Sequence, residues 1–293
     1  MATTRISFTE RRRRGQTRIL VLPAALWMIL FFILPLLVVV VYSFMTPSRL
    51  YQAVTPFTIT NYQKILDNTY ISVMLRSIGT AVTTTIFCAL IGYPIAYFIA
   101  TRSPRWRNIF LMLVIVPFWT NFVVRTYAII FTINDGGLVN SLLGDYLHVI
   151  NAPINMLYTP FAVYVGLIYG YLPFMILPMY TSIEKFNFRL MEAAADLGAN
   201  DLRAFWRVML PATLPGVWAG CILVFIPALG AYITPDLLGG AKFLMMGNQI
   251  KTFMDSPTGK PSGAALSVVM MAVVVIALIF YYRFADRDAR AVG

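Results

Sequence analysis

The chain alternates long apolar runs with short polar gaps. The runs fall at about 19–44, 73–100, 108–131, 158–181, 212–234 and 263–283. Crossing a hydrocarbon core of ~30 Å takes roughly 20 helical residues, so the pattern predicts six transmembrane helices. Gly and Pro are spread through the runs, among them Pro94, Pro117, Pro173, Pro178, Pro215 and Pro227. Kinked helices tolerate them, because neighbouring helices or a water-lined path re-satisfy the freed backbone groups. A barrel would instead show alternating segments of ~10 residues. The first run, Ile19–Phe44, is 26 residues long. A cleavable leader has an apolar stretch of ~7–15 residues and a small-residue cleavage site, and no Ala-x-Ala follows here. It reads as a retained span, long enough to tilt.

The polar gaps set the orientation. Six Arg precede the first run (Arg5, Arg11, Arg12, Arg13, Arg14, Arg18), three lie at 101–107, four at 182–210 and three from Arg283 on, so 16 basic residues share one side. The other side holds five: Arg49, Lys64, Lys242, Lys251 and Lys260. The basic side faces the cytoplasm, which predicts both termini inside. The resulting organisation is a cytoplasmic basic segment at 1–18, a first helix with an external loop at 19–72, a five-helix core at 73–283 and a cytoplasmic tail at 284–293.

Composition agrees. The chain is 59% hydrophobic and 12% charged, with a mean hydropathy of +0.74; a soluble domain carries roughly 25% charged residues. The net charge of +11 lies in the gaps that topology requires, so it argues for membrane lipid and not for nucleic acid. Cys88 and Cys221 both fall inside apolar runs and offer no disulfide framework or metal site. Neither HExxH nor GxSxG occurs, and His148, in an outer loop, is the single histidine. No catalytic residue, metal or cofactor is therefore expected. The phosphate loop GxxxxGK[ST] is also absent, so a transporter of this kind draws its energy from a partner. An ion-coupled secondary transporter is the alternative class, but related halves and a row of intramembrane acids are missing.

The 182–210 loop differs from the others. Lys185, Arg189, Arg203 and Arg207 balance Glu184, Glu192, Asp196 and Asp201, whereas a lipid-binding segment would be basic. Its middle predicts a short amphipathic helix over Phe188–Leu197, stopped by Gly198 in a left-handed cap. A second helix is predicted to start at an Asn200 cap. Glu192-Ala193-Ala194, three residues, Gly198, nine residues, then Val208-x-Leu210-Pro211 resembles the EAA loop of ABC importer permeases; Val208 stands where that family often has Ile. Pro117-Phe118-Trp119-Thr120-Asn121 with Arg125 and Tyr127, Ser182-Ile183-Glu184-Lys185, and Pro235–Gly240 followed by Gly247-Asn248 are similar to the spermidine/putrescine permease subfamily. Ala231 before Tyr232 departs from relatives that carry an acid there.

This resemblance implies an all-α integral membrane protein of the type I importer permease fold in the bacterial inner membrane. It implies a second permease in a hetero-pair, two cytoplasmic ATPase copies and an external binding protein as partners. Glu192, Ala193, Ala194, Gly198, Leu210 and Pro211 would form the ATPase-coupling element. The substrate would be a polyamine, or another small solute such as an opine or amino-acid derivative. A polyamine needs acidic, carbonyl or aromatic partners on its way, and Trp119, Tyr127, Tyr232 and Asp236 are the candidates near the outer side. Each aromatic has a second reading as an interfacial belt residue, and Asp236 one as a helix-end cap. Arg125 would repel a cation; it either snorkels outward or pairs with an acid on another helix.

Overall fold

The computed structural model describes residues 22–48, 52–149 and 152–291; the basic segment at 1–18 and Arg49 lie outside them. Two compact units form, one from the described residues up to Lys64 with Phe253–Val269, the other from Ile65–Thr252 and the chain from Met270 on.

In the first unit, α1 (Leu22–Ser43) is apolar on every side. One π-helical turn at Ile29–Ile33 precedes Pro35, and the Leu34 N–H reaches back to the Ile29 carbonyl. The wider turn carries the helix past a residue that has no N–H to give. A two-stranded antiparallel hairpin follows, β1 (Met45–Ser48) with β2 (Gln52–Phe57), in register Met45 to Phe57 and Ser48 to Gln52. Short strands carrying Pro47 and Pro56 read against a sheet, which is why the sequence pattern leaves this stretch as loop. Asn61, fully buried in α2 (Thr60–Ile65), ties the unit together. Its amide donates to the carbonyls of Ser43 and Met45 at 3.0 and 2.9 Å and accepts from Ser262 Oγ at 3.3 Å.

The second unit contains α3 (Asn68–Ala100), α4 (Pro104–Ile115), α5 (Phe122–Ile133), α6 (Leu138–Ser141), α7 (Pro160–Glu184), α8 (Arg189–Asp196) and the continuous helix α9 (Asp201–Leu229). Helix α10 (Met246–Asp255) and α11 (Lys260–Ala291) each pass from one unit into the other. The core lies where α3, α7 and α9 meet, around the fully buried Ala81, Cys88, Leu167, Met175 and Val224. Gly216 and Gly220 let α9 approach α7 closely. A Cβ on Gly216 would collide with Ser182 and stand 2.7 Å from the Pro178 carbonyl; on Gly220 it would stand 2.6 Å from Met175 Sδ.

Among the described residues, six helical segments are long and apolar enough to cross a membrane. Two differ from the sequence expectation. The run at 108–131 is not one helix: α4 ends in a 3-10 turn at Val116–Trp119, and Thr120 and Asn121 are extended before α5. Pro117 withholds an N–H, and Asn121 then caps the new helix by accepting from Val123 N at 2.8 Å. The third segment of crossing length is Phe122–Gly144, itself interrupted between α5 and α6. The fifth begins at Asp201 and ends at Leu229, not at 212 and 234. Its start is the predicted Asn200 cap, and a π turn at Phe205–Met209 carries the helix past Pro211.

Candidate functional site

Two places carry the residues singled out in the sequence. The first is α8 and its flanks. No residue of α8 is buried. Its end is a Schellman cap: Gly198 adopts φ +84°, its N–H donates to Ala195 O at 2.8 Å, and Ala199 N donates to Ala194 O at 3.0 Å. Asn200 then accepts from Arg203 N at 2.8 Å and starts α9. Glu192, Ala193 and Gly198 are exposed, Ala194 half-buried, and Leu190, Leu197, Leu202 and Trp206 present apolar surface outward. Leu210 and Pro211, half-buried, sit a turn inside the rod behind them.

The base of this element is fastened. Arg107 at the start of α4 pairs with Glu184 at the end of α7 at 2.7 Å. Phe188 stacks near Tyr97 and edge-on to Phe186, with centroids 6.5 and 5.4 Å apart. Tyr93 packs edge-on to Phe205 and shares a 2.8 Å hydrogen bond with Thr213. The helix projects while its two ends are held to α3, α4 and α7.

The second place is a cleft of about 390 Å³ where the α4–α5 break, α7 and the end of α9 meet. Phe118, Phe122, Tyr171, Phe174 and Tyr232 line it, with Arg125 and Thr234 as its polar groups. The Arg125 guanidinium lies over Phe118 and Phe122, 5.0 and 5.5 Å from their centroids. Beyond Gly230 the chain leaves the helix, and the Tyr232 carbonyl accepts from Asn248 Nδ2 at 2.9 Å and from Asp236 N at 3.0 Å. Gly247 permits this contact, since a Cβ there would stand 2.6 Å from the Ala231 carbonyl. Asp236 forms an ion pair with Lys251 at 3.1 Å, and the same ammonium lies 5.9 Å from the Tyr232 ring centroid.

Residues 92–290 match the family described as binding-protein-dependent transport system inner membrane component. The chain belongs to that family. The spermidine/putrescine transport system permease protein PotB of Escherichia coli (strain K12) is 42% identical over 88% of this chain and 93% of its own length. The Haemophilus influenzae protein of the same description is 42% identical over 88% and 90%. In three dimensions the chain is similar to a solved chain of a bacterial ABC transporter that imports alginate, with a TM-score of 0.72, 16% identity, and coverage of 96% of this chain and 98% of that one. The fold is thus that of an ABC importer permease, and the chain is a multi-pass inner-membrane transport component.

Within this family fold, Glu192, Ala193 and Ala194 lie on α8, Gly198 in its cap, and Leu210 and Pro211 in α9, nine and ten residues beyond its first residue Asp201. The four outer residues do not form one group. Tyr232 lines the cleft and Asp236 is hydrogen-bonded to it, whereas Trp119, 79% exposed, and Tyr127, 47% exposed, lie outside the cleft lining. Phe118, Phe122, Tyr171, Phe174 and Thr234 were not singled out as site residues in the sequence. Phe118 and Phe122 precede Arg125 at helical spacings, a legible signal; Tyr171, Phe174 and Thr234 come from distant segments.

Proposed function

We propose that this chain is a permease subunit of a binding-protein-dependent ABC importer for polyamines of the spermidine/putrescine type. It pairs with a second, different permease, is driven by two copies of a cytoplasmic ATPase, and receives substrate from an external binding protein. The observation that carries this reading is 42% identity, over 88% of the chain, to permeases of spermidine/putrescine transport.

The exposed α8 supports a docking role. Ala193 and Ala194 keep one face small for close approach, and Leu190 and Leu197 offer apolar area to an ATPase cleft. Glu192 supplies a charge there, Gly198 the turn, and Leu210-Pro211 a support inside the rod that begins at Asp201. ATP hydrolysis resides on the partner, and this chain supplies the path. Near the outer side, Asp236 and Tyr232 combine a carboxylate with an aromatic face, the pair of groups that alkylammonium ions bind. Lys251 already holds that position, and the pair is about half exposed, so it is worth ~0–1 kcal/mol and a polyvalent amine displaces it readily. Trp119 and Tyr127 extend the aromatic lining toward the second permease. Both termini and α8 face the cytoplasm, and the 132–157 loop faces outward.

The test is uptake of labelled spermidine and putrescine by the assembled complex, with unlabelled opines and amino-acid derivatives as competitors. Saturable polyamine uptake that the competitors leave untouched is expected; absence of polyamine uptake ends the substrate assignment. For orientation, Asn187→Cys should label only from the cytoplasm and Ser141→Cys only from outside.

A further inference from the structure

We infer that the Arg125 cleft receives a carboxylate side chain of the second permease subunit, so that an ion pair closes across the interface between the two permeases. The inference rests on the pairing proposed above.

Arg125 stands in the first turn of α5, inside a segment long and apolar enough to cross a membrane. Among the described residues it makes no ion pair, and its Nε is buried without a hydrogen-bond partner. Phe118 and Phe122 cover the guanidinium, but ring faces do not neutralise a charge or accept the Nε–H in its plane. An intramembrane arginine calls for an anion. Asp236, the acid closest in sequence to the cleft-lining residues around Tyr232, is held by Lys251. A second orphan lines the same cleft: Thr234, 1% exposed, has a hydroxyl with no partner. A guanidinium fork accepts both oxygens of a carboxylate, and a hydroxyl adds a third donor. Both unpartnered groups belong to residues that line this one cleft.

Two sources of a carboxylate or similar anion are conceivable, and one fits poorly. A polyamine is a cation and is repelled. A lipid phosphate lies at the membrane surface, yet Arg125 is eight residues before the end of α5 at Ile133, about 12 Å along the axis. Its side chain also points the other way, back over the rings at 122 and 118. That direction is opposite to outward snorkelling, one of the two readings open from sequence. What remains is protein covering the cleft mouth, where Tyr232 is 42% exposed. In a paired permease that cover is the partner subunit.

The experiment uses the whole importer, both permeases and the ATPases, purified in detergent. Arg125→Lys places an amine in the cleft, and a zero-length carbodiimide then joins it to any carboxylate in contact. The expected result is a covalent permease–permease product, absent with Arg125→Gln, whose junction peptide contains an acidic residue of the partner. Arg125→Gln should also speed dissociation of the two permeases on dilution by about thirtyfold or more, as for loss of one member of a buried charge pair. If the permeases co-purify and the amine joins only acids of its own chain, or nothing, the inference is overturned. Loss of cross-linking on adding a small carboxylic acid substrate, or retention of the amine by phospholipid alone, overturns it too. Failure of the unaltered chain to co-purify with any second permease would instead remove the pairing on which it rests. Polyamine uptake is not part of this readout, so the substrate assignment stands or falls separately.

Discussion

Helix α8, the proposed coupling element, and the cleft around Arg125 are built in opposite ways. Helix α8 buries none of its own residues and is specified by a local stretch, from its first turn to the Asn200 cap. The cleft is lined from residues 118–125, 170–174 and 227–234, segments brought together by the α3–α7–α9 core. One is a projecting surface whose shape depends on two caps and a fastened base. The other is a hollow whose shape depends on helix packing. A surface of the first kind is changed by one backbone torsion; a hollow of the second kind changes only when helices move.

The largest effect is expected where the two regions share support. Gly216→Leu forces a side chain into Ser182 and the Pro178 carbonyl, an overpacking worth about 1–3 kcal/mol or more. Both regions should fail together, seen as loss of the monodisperse peak in size-exclusion chromatography after mild heating. Survival of either region alone would show that the helix pair is not their common frame.

Gly198→Val separates them. A β-branched residue at φ +84° carries strain of about 1–3 kcal/mol, and the space around this glycine is open, so torsion alone is tested. Substrate-stimulated ATP hydrolysis should drop about tenfold, as 1.4 kcal/mol implies, while the carbodiimide product of Arg125→Lys in the same background is unchanged. Normal hydrolysis would remove the cap from the coupling account.

On the outer side, Asp236→Asn should reduce polyamine uptake by roughly tenfold if the contact is desolvated, worth about 1.5–3 kcal/mol. Lys251→Gln should lower the apparent KM, because it frees the carboxylate, and the double variant should behave like Asp236→Asn. Equal losses in both single variants would mark the pair as a structural tie only. The smallest effect belongs to Arg107 and Glu184, partly exposed at 28% and 35% and worth ~0–1 kcal/mol. Arg107→Glu should weaken coupled hydrolysis about twofold to fivefold, and combining it with Glu184→Arg should restore it.

Legibility in the sequence follows the same division. Crossing helices, the Gly198 stop and the Asn200 cap depend on neighbours within a few residues, and their types state the geometry. The break at Val116–Asn121 was harder: Pro117 resembles the other span prolines, and only Asn121 capping Val123 distinguishes an ending from a kink. That the helix predicted to start at Asn200 runs on unbroken into the fifth span was hidden, because a π turn lets a helix run through Pro211. Asp236 looked like a free outer carboxylate, since its partner Lys251 lies beyond the turn at Gly240, where φ is +55°. Thr234 and Arg125 share a cleft only through tertiary packing, and no local spacing announces that.

The continuity of Asp201–Leu229 has a mechanical meaning. Its 29 residues make a strut about 44 Å long, with the Asn200 cap at one tip and Gly230, beside Tyr232, at the other. A strut of that length, pivoting about its middle by about 10°, swings each tip by roughly 4 Å. With α8 as the proposed docking element, force received where it ends would be delivered, without an intervening joint of loop, to the lip of the cleft. Spin labels at Leu202 and Ile233 should report displacements of matched timing through the ATPase cycle; movement of one tip alone would mean that the strut bends at Pro215 or Pro227.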